Sequence, residues 1–108
     1  MKKTVRQKVR NRMPASLQKN AENHWLVAGE LDFDSVMALW PQLRSAVSSG
    51  AQVQLSLEDV VSSNSAAMAL LLEAKQLAKS SGGELHVSDV PTALMDLLRL
   101  SNADSLLN

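Results

Sequence analysis

Between Ala51 and Val87 the spacing of apolar residues changes from two to three-or-four and back to two. Ala51 to Leu57 sets Val53, Leu55 and Leu57 on one side and Gln52, Gln54 and Ser56 on the other, the period of a half-buried strand. Glu58-Asp59 then reads as a turn away, with Val60-Val61 returning to the core. From Ala66 to Ser80 the stripe Ala67, Leu70, Leu71, Ala74, Leu77 and Ala78 follows helical spacing, closed by Ser81-Gly82-Gly83. Glu84-Leu85-His86-Val87 alternates again, with Leu85 and Val87 inward. Strand, helix and strand in this order make a βαβ unit. Such a unit favours parallel strands, a right-handed crossover and helices packed on a sheet.

The rest of the chain extends the same pattern. His24 to Leu31 is a strand whose middle is apolar on both faces, and Leu17 to Lys19 forms a short edge strand before it. Asp32 and Asp34 lead into a helix over 35–49, with Val36, Leu39, Trp40, Leu43, Ala46 and Val47 on one face. Pro41 interrupts that helix and predicts a start or bend near Ala38, while Gly50 takes the position just past its end. Asp89 and Pro91 open a last helix that packs Leu94, Leu97, Leu98 and Leu100, before a final turn at Ser105-Leu106-Leu107. The expected fold is α/β, in the order ββαβαβα, with a mixed sheet of four to five strands and helices packed on it. Its expected span is one domain, 16–108, of a size that supports a modest core.

A net charge of zero conceals a split. Seven basic residues (Lys2, Lys3, Arg6, Lys8, Arg10, Arg12, Lys19) precede the first acid, Glu22. From Asn20 onward four basic residues face 11 acids, so a head of +7 adjoins a body of −7. Residues 1–15 show no apolar period and read as a flexible basic tail able to attract anionic lipid or nucleic acid, with Met13 as an alternative start. No apolar h-region follows the basic residues, so the head does not read as a secretory signal. No apolar run has the length of a membrane span. Cysteine is absent, which excludes disulfides, thiolate chemistry and Cys-based metal sites, and suits a cytoplasmic protein. The sequence offers no nucleophile–base pair, and no Gly-x-x-x-x-Gly-Lys phosphate loop. His24 and His86 fall on separate strands without carboxylates at ligand spacing, so no metal or cofactor is expected. Asp32 and Asp34 read as turn or cap residues, Glu30 as a strand-end residue, and Trp25 and Trp40 as core.

The candidate site is where a strand runs into the best helix, at Ser62-Ser63-Asn64-Ser65. Asn64 and Ser65 occupy the place of an N-cap, with Ser65 itself a candidate cap. Unpaired amides and a positive dipole there suit an anion, including a phosphate on Ser65. Met68, Leu72, Lys75 and Lys79 lie on a line apart from the core stripe, which places Met68 and Leu72 near the surface beside Ser65. This is the chemistry of a docking site or a switch.

Those residues carry a resemblance. Gly29-Glu30-Leu31-Asp32 after the second strand resembles the G-x-L-D/T segment of the STAS domain (sulfate transporter and anti-sigma factor antagonist), and Asn64-Ser65-Ala66-Ala67-Met68 is similar to its D-S-S/T-G-L motif. Ser65 stands at the hydroxyl position that is phosphorylated in the anti-sigma antagonists. The run Met68-Ala69-Leu70-Leu71-Leu72-Glu73 and Trp40 look most like the MlaB-like branch. The resemblance covers roughly 16–107. It implies a non-enzymatic cytoplasmic subunit docked on the nucleotide-binding ATPase of a phospholipid ABC transporter. Such a subunit is peripheral to the inner membrane through that partner and has no nucleic-acid partner. Ser63, Asn64, Ser65, Met68 and Leu72 become the partner-binding or phosphoacceptor-equivalent residues. The alternative is an anti-sigma factor antagonist switched by phosphorylation of Ser65. Asn64 replaces the family acid and Ala67 the family glycine. Both changes weaken a kinase-driven switch and leave constitutive docking intact.

Overall fold

The computed structural model describes residues 14–107. Four strands and three helices follow in the expected order: β1 Ser16–Ala21, β2 His24–Leu31, α1 Phe33–Val47, β3 Gln52–Ser63, α2 Ser65–Ser80, β4 Glu84–Ser88 and α3 Thr92–Leu100. A 3-10 turn, Asp104–Leu107, closes the described chain. The sheet has the order β1-β2-β3-β4, with β1 antiparallel to β2 and the other two pairs parallel. The basic tail expected over 1–15 lies, except for Pro14 and Ala15, outside the described residues.

The alternation on β3 decides the layering. Val53, Leu55 and Leu57 are fully buried against the helices, whereas Gln52, Gln54 and Glu58 are exposed on the opposite face. The helices therefore cover one face, and among the described residues the other is polar and open to water. α2 packs against both α1 and α3 and occupies the middle of the helical layer. Its small residues Ala67, Ala74 and Ala78 are fully buried and let it approach closely, while Leu71 fills the space between them. Each such buried leucine contributes roughly 1.5–3 kcal/mol relative to leaving it in water. α3 adds Leu94 and Leu98, one turn apart and both buried.

Several boundaries differ from expectation, each for a local reason. Glu58-Asp59 is not a turn: β3 runs unbroken through it. The pairing with β2 slips by one residue between Leu26 and Ala28 and again between Gly29 and Glu30. Each slip inserts an extra residue in β3, which is how its ten residues 54–63 pair with the eight of β2. Val61 belongs to the second insertion and points to solvent instead of returning to the core. α1 begins at Phe33 and passes through Pro41 without restarting near Ala38, and its C-cap is Ser48, two residues before Gly50. Asp32 and Ser35 explain the early start. The Asp32 carboxylate accepts from the Ser35 amide and the Ser35 hydroxyl accepts from the Asp32 amide, both at 2.9 Å. Leu100 is 83% exposed rather than packed, because the helix ends there, whereas Leu94 and Leu98 are buried and Leu97 is half-buried against the core. Trp25 and Trp40 are half-buried against the core, and the Lys19 ammonium lies 6.0 Å from the Trp25 ring centre.

Candidate functional site

The parallel strands β2 and β3 finish beside each other, with Leu31 opposite Ser63 in the register. The chain turns into α1 two residues after Leu31 and into α2 two residues after Ser63. Both helices thus begin at one end of the domain. β1 runs antiparallel to β2, so its first residue, Ser16, opposite Ala28, lies at that end too.

The two helix starts differ in charge. α1 has Asp32 as its cap and Asp34 in its first turn. These carboxylates offset the positive pole of the helix. α2 has no acidic residue in its first turn. Its cap is Asn64, whose side-chain oxygen accepts from the Ala66 amide at 2.8 Å, in extended backbone. Ser65 is therefore the first helical residue and not the cap. Its exposed side chain is left to solvent at the positive pole. A neutral amide caps as well as a carboxylate but brings no charge, so an anion on Ser65 meets the dipole without local repulsion. Ser63 is half-buried at the strand end and Asn64 is exposed.

Met68 and Leu72 are less accessible than expected. Both are half-buried and packed against the core. Leu72 also lines an open groove of about 610 Å³ on the β4 side, with Lys75, Gln76, Lys79, Glu84, Leu85 and Ser105. Lys75 donates from Nζ to the Leu85 carbonyl at 2.8 Å, so the line of α2 residues turns away from Ser65 toward the outer strand. The large exposed apolar side chains on α1 and in β3 belong instead to residues outside the expected set. Phe33 is 67%, Met37 59% and Val61 54% exposed. Phe33 and Met37 are one turn apart on α1, and the signal for them is present in the sequence. They are large apolar residues at i, i+4 that fall off the Val36–Leu39–Leu43 stripe.

The remaining chemistry is sparse. Among the described residues no group of three or more His, Asp and Glu could hold a metal ion. His24 and His86 flank Gln54 on the open face of the sheet, where His86 Nε2 lies 3.0 Å from Gln52 Oε1. No described helix is long and apolar enough to cross a membrane.

A family model described as "Mlab, STAS domain" matches residues 18–108, which takes in the sheet after its first residues and every described helix. The chain belongs to the STAS domain family. Within the family it is most like MlaB. The STAS fold is also that of two solved structures. One is the anti-sigma factor antagonist SpoIIAA in its unphosphorylated form, at 13% identity and a TM-score of 0.66, with 85% of this chain and 84% of that one covered. The other is the Bacillus cell fate determinant SpoIIAA in the phosphorylated form, at 14% identity and a TM-score of 0.66, covering 85% and 86%. At such identities the likeness is one of fold. A search among curated proteins finds no match. STAS domains are typically binding or regulatory domains without enzymatic activity, and the glycine of the G-x-L-D segment has a clear physical role here. Gly29 has φ +91°, and a Cβ on it would collide with the Pro14 carbonyl, which lies directly over it. Only glycine fits both requirements.

Proposed function

We propose that this STAS domain is a non-enzymatic subunit that docks on the nucleotide-binding ATPase of an ABC transporter for phospholipids and stabilises or regulates it. In this reading it is cytoplasmic and reaches the inner membrane through its partner. The observation that carries the reading is the MlaB-like family match over nearly the whole domain. The geometry supports it with an exposed hydroxyl, Ser65, and three exposed apolar residues, Phe33, Met37 and Val61, on the elements that meet at the end where α1 and α2 begin. Large apolar side chains grouped at one end of a small domain mark an interaction surface. ATP hydrolysis belongs to the partner, since this sequence has no phosphate loop. The subunit acts by binding one state of the ATPase better than another, which is all a bound partner can exploit. Affinity purification of the chain from its native cells tests this. An ATPase of the ABC class should co-purify in stoichiometric amount, and its absence overturns the reading.

A second reading is favoured by the exposed, uncapped Ser65 at a helix start without local acid, together with the fold shared with an anti-sigma factor antagonist solved in both phosphorylation states. Here Ser65 is phosphorylated and the added charge, roughly −1.5 to −2, expels a partner from the same end. Intact-mass spectrometry of the native protein distinguishes the two: a phosphorylated fraction at Ser65 supports the switch, and none supports constitutive docking.

A further inference from the structure

We infer that the groove between α2 and β4 is a binding site for a single-chain amphiphilic anion, an aliphatic chain that ends in a carboxylate. At about 610 Å³ the groove has the size of a small-molecule site. Its walls come from the second half of α2, the start of β4 and Ser105 of the 3-10 turn, whereas Ser65 opens α2 at the other end. Half-buried Leu72 and the Leu85 position give it apolar surface. Lys75 and Lys79, one turn apart on α2, give it a cationic side, and Gln76 and Ser105 add hydrogen-bond donors.

The sign of the occupant follows from charge. From Asn20 onward the chain sets four basic residues against 11 acids, and two of the four line this groove. Of the other two, Arg99 lies 3.6 Å from Asp96 and Arg44 stands on α1. The Lys75 ammonium gives one of its three donors to the Leu85 carbonyl at 2.8 Å, which holds the head over β4 and leaves its charge in place. The Lys79 ammonium has no ion pair or hydrogen bond among the described residues. Glu84 is the one acid in the lining, and its carboxylate lies 3.5 Å from His86 Nε2, on the sheet face opposite buried Leu85. Two uncompensated cations therefore flank apolar surface in a domain whose net charge is negative. Side chains at i and i+4 leave the helix about 5–6 Å apart, close enough for one carboxylate to meet both. The aliphatic chain then covers Leu72. A small inorganic anion gains nothing from Leu72, and a neutral chain gains nothing from the lysines.

The test titrates octanoate, kept below its micelle-forming concentration, into the full chain and follows the amide chemical shifts. Leu72, Lys75, Gln76, Lys79, Leu85 and Ser105 should move and saturate together, while Phe33 and Ser65 stay still. Acetate and 1-octanol each carry half of the chemistry and should bind roughly tenfold more weakly or worse. Lys79→Gln, at an exposed position, should lower octanoate affinity roughly tenfold with an unchanged circular dichroism spectrum. Arg44→Gln, which removes an exposed cation from α1, should leave the affinity as it is. The proposal is overturned if no saturable shift appears at the groove, if acetate or octanol binds as tightly as octanoate, or if Lys79→Gln binds like the wild type. It is equally overturned if Arg44→Gln loses as much affinity as Lys79→Gln, which makes the attraction one of overall charge. Phosphatidylglycerol vesicles that move the same signals where octanoate does not would make the groove a contact for a bilayer surface, and that too overturns it. No ATPase enters this test, so a failed co-purification and an empty groove remain separate results.

Discussion

Asn64 and Ser65 are neighbours with separate tasks, because one residue at a helix start makes the capping bond and the next only begins the helix. The Asn64 side chain satisfies the Ala66 amide, and nothing in the structure asks Ser65 to cap. Asn64→Ala is therefore expected to cost about 0.5–2 kcal/mol, and Ser65→Ala to stay within about 0.5 kcal/mol, both measured by urea unfolding. If Ser65→Ala costs as much as Asn64→Ala, the serine is the cap and the assignment is reversed. Gly29 and Gly82 make a second residue-level pair. Both have φ near +90°, but a Cβ at Gly82 meets open space whereas at Gly29 it strikes the Pro14 backbone. Gly82→Ala should cost about 1–2 kcal/mol through conformation alone. Gly29→Ala should cost more in the same melts, because β1 must also move away from β2. Equal losses would show that the entry segment yields without resistance.

At the scale of the element, α2 is the hub of the helical layer, and its two flanks differ in what they tolerate. Leu71 is fully buried, so Leu71→Asp places an unpaired carboxylate in the core and should leave the domain unfolded at 25 °C by circular dichroism. Leu72 is half-buried at the rim of the groove near β4. Leu72→Asp should fold with a lowered melting temperature, between the wild type and Leu71→Asp. A melt indistinguishable from wild type would put residue 72 on the free surface and restore it to the docking face. The strand elements show a different economy. β3 keeps one continuous ladder by inserting two extra residues against β2, so a pair of acids that reads as a turn becomes part of a strand. Bulges of this kind bend the strand and increase its local twist. Here they deliver Val61 to the surface and Ser63 to the start of α2.

At the scale of the whole molecule, one sheet face is covered and the other is open among the described residues, and one end gathers the starts of α1 and α2 and the entry at Pro14. Phe33→Asp and Met37→Asp should abolish capture of the ATPase partner while shifting stability by no more than about 0.5 kcal/mol, since neither side chain is buried. A pulldown with parallel thermal melts checks this, and undiminished capture by both variants would move the docking surface elsewhere. The order of elements, the buried stripe of α2, the half-buried alternation of β3 and the family motifs at Gly29 and Ser65 are legible in the amino-acid order alone. These are local signals: periods of 2 and 3.6, caps and glycines are properties of the chain over a few residues. The folded chain was needed to show that α1 and α2 start at one end of the sheet, that Glu58-Asp59 continues a strand, that Leu72 turns toward β4, and that Phe33, Met37 and Val61 are exposed among the described residues. Register, bulges and the covering of a side chain depend on a neighbour distant in sequence. An apolar residue one turn off the stripe has the same local pattern whether or not another element packs over it.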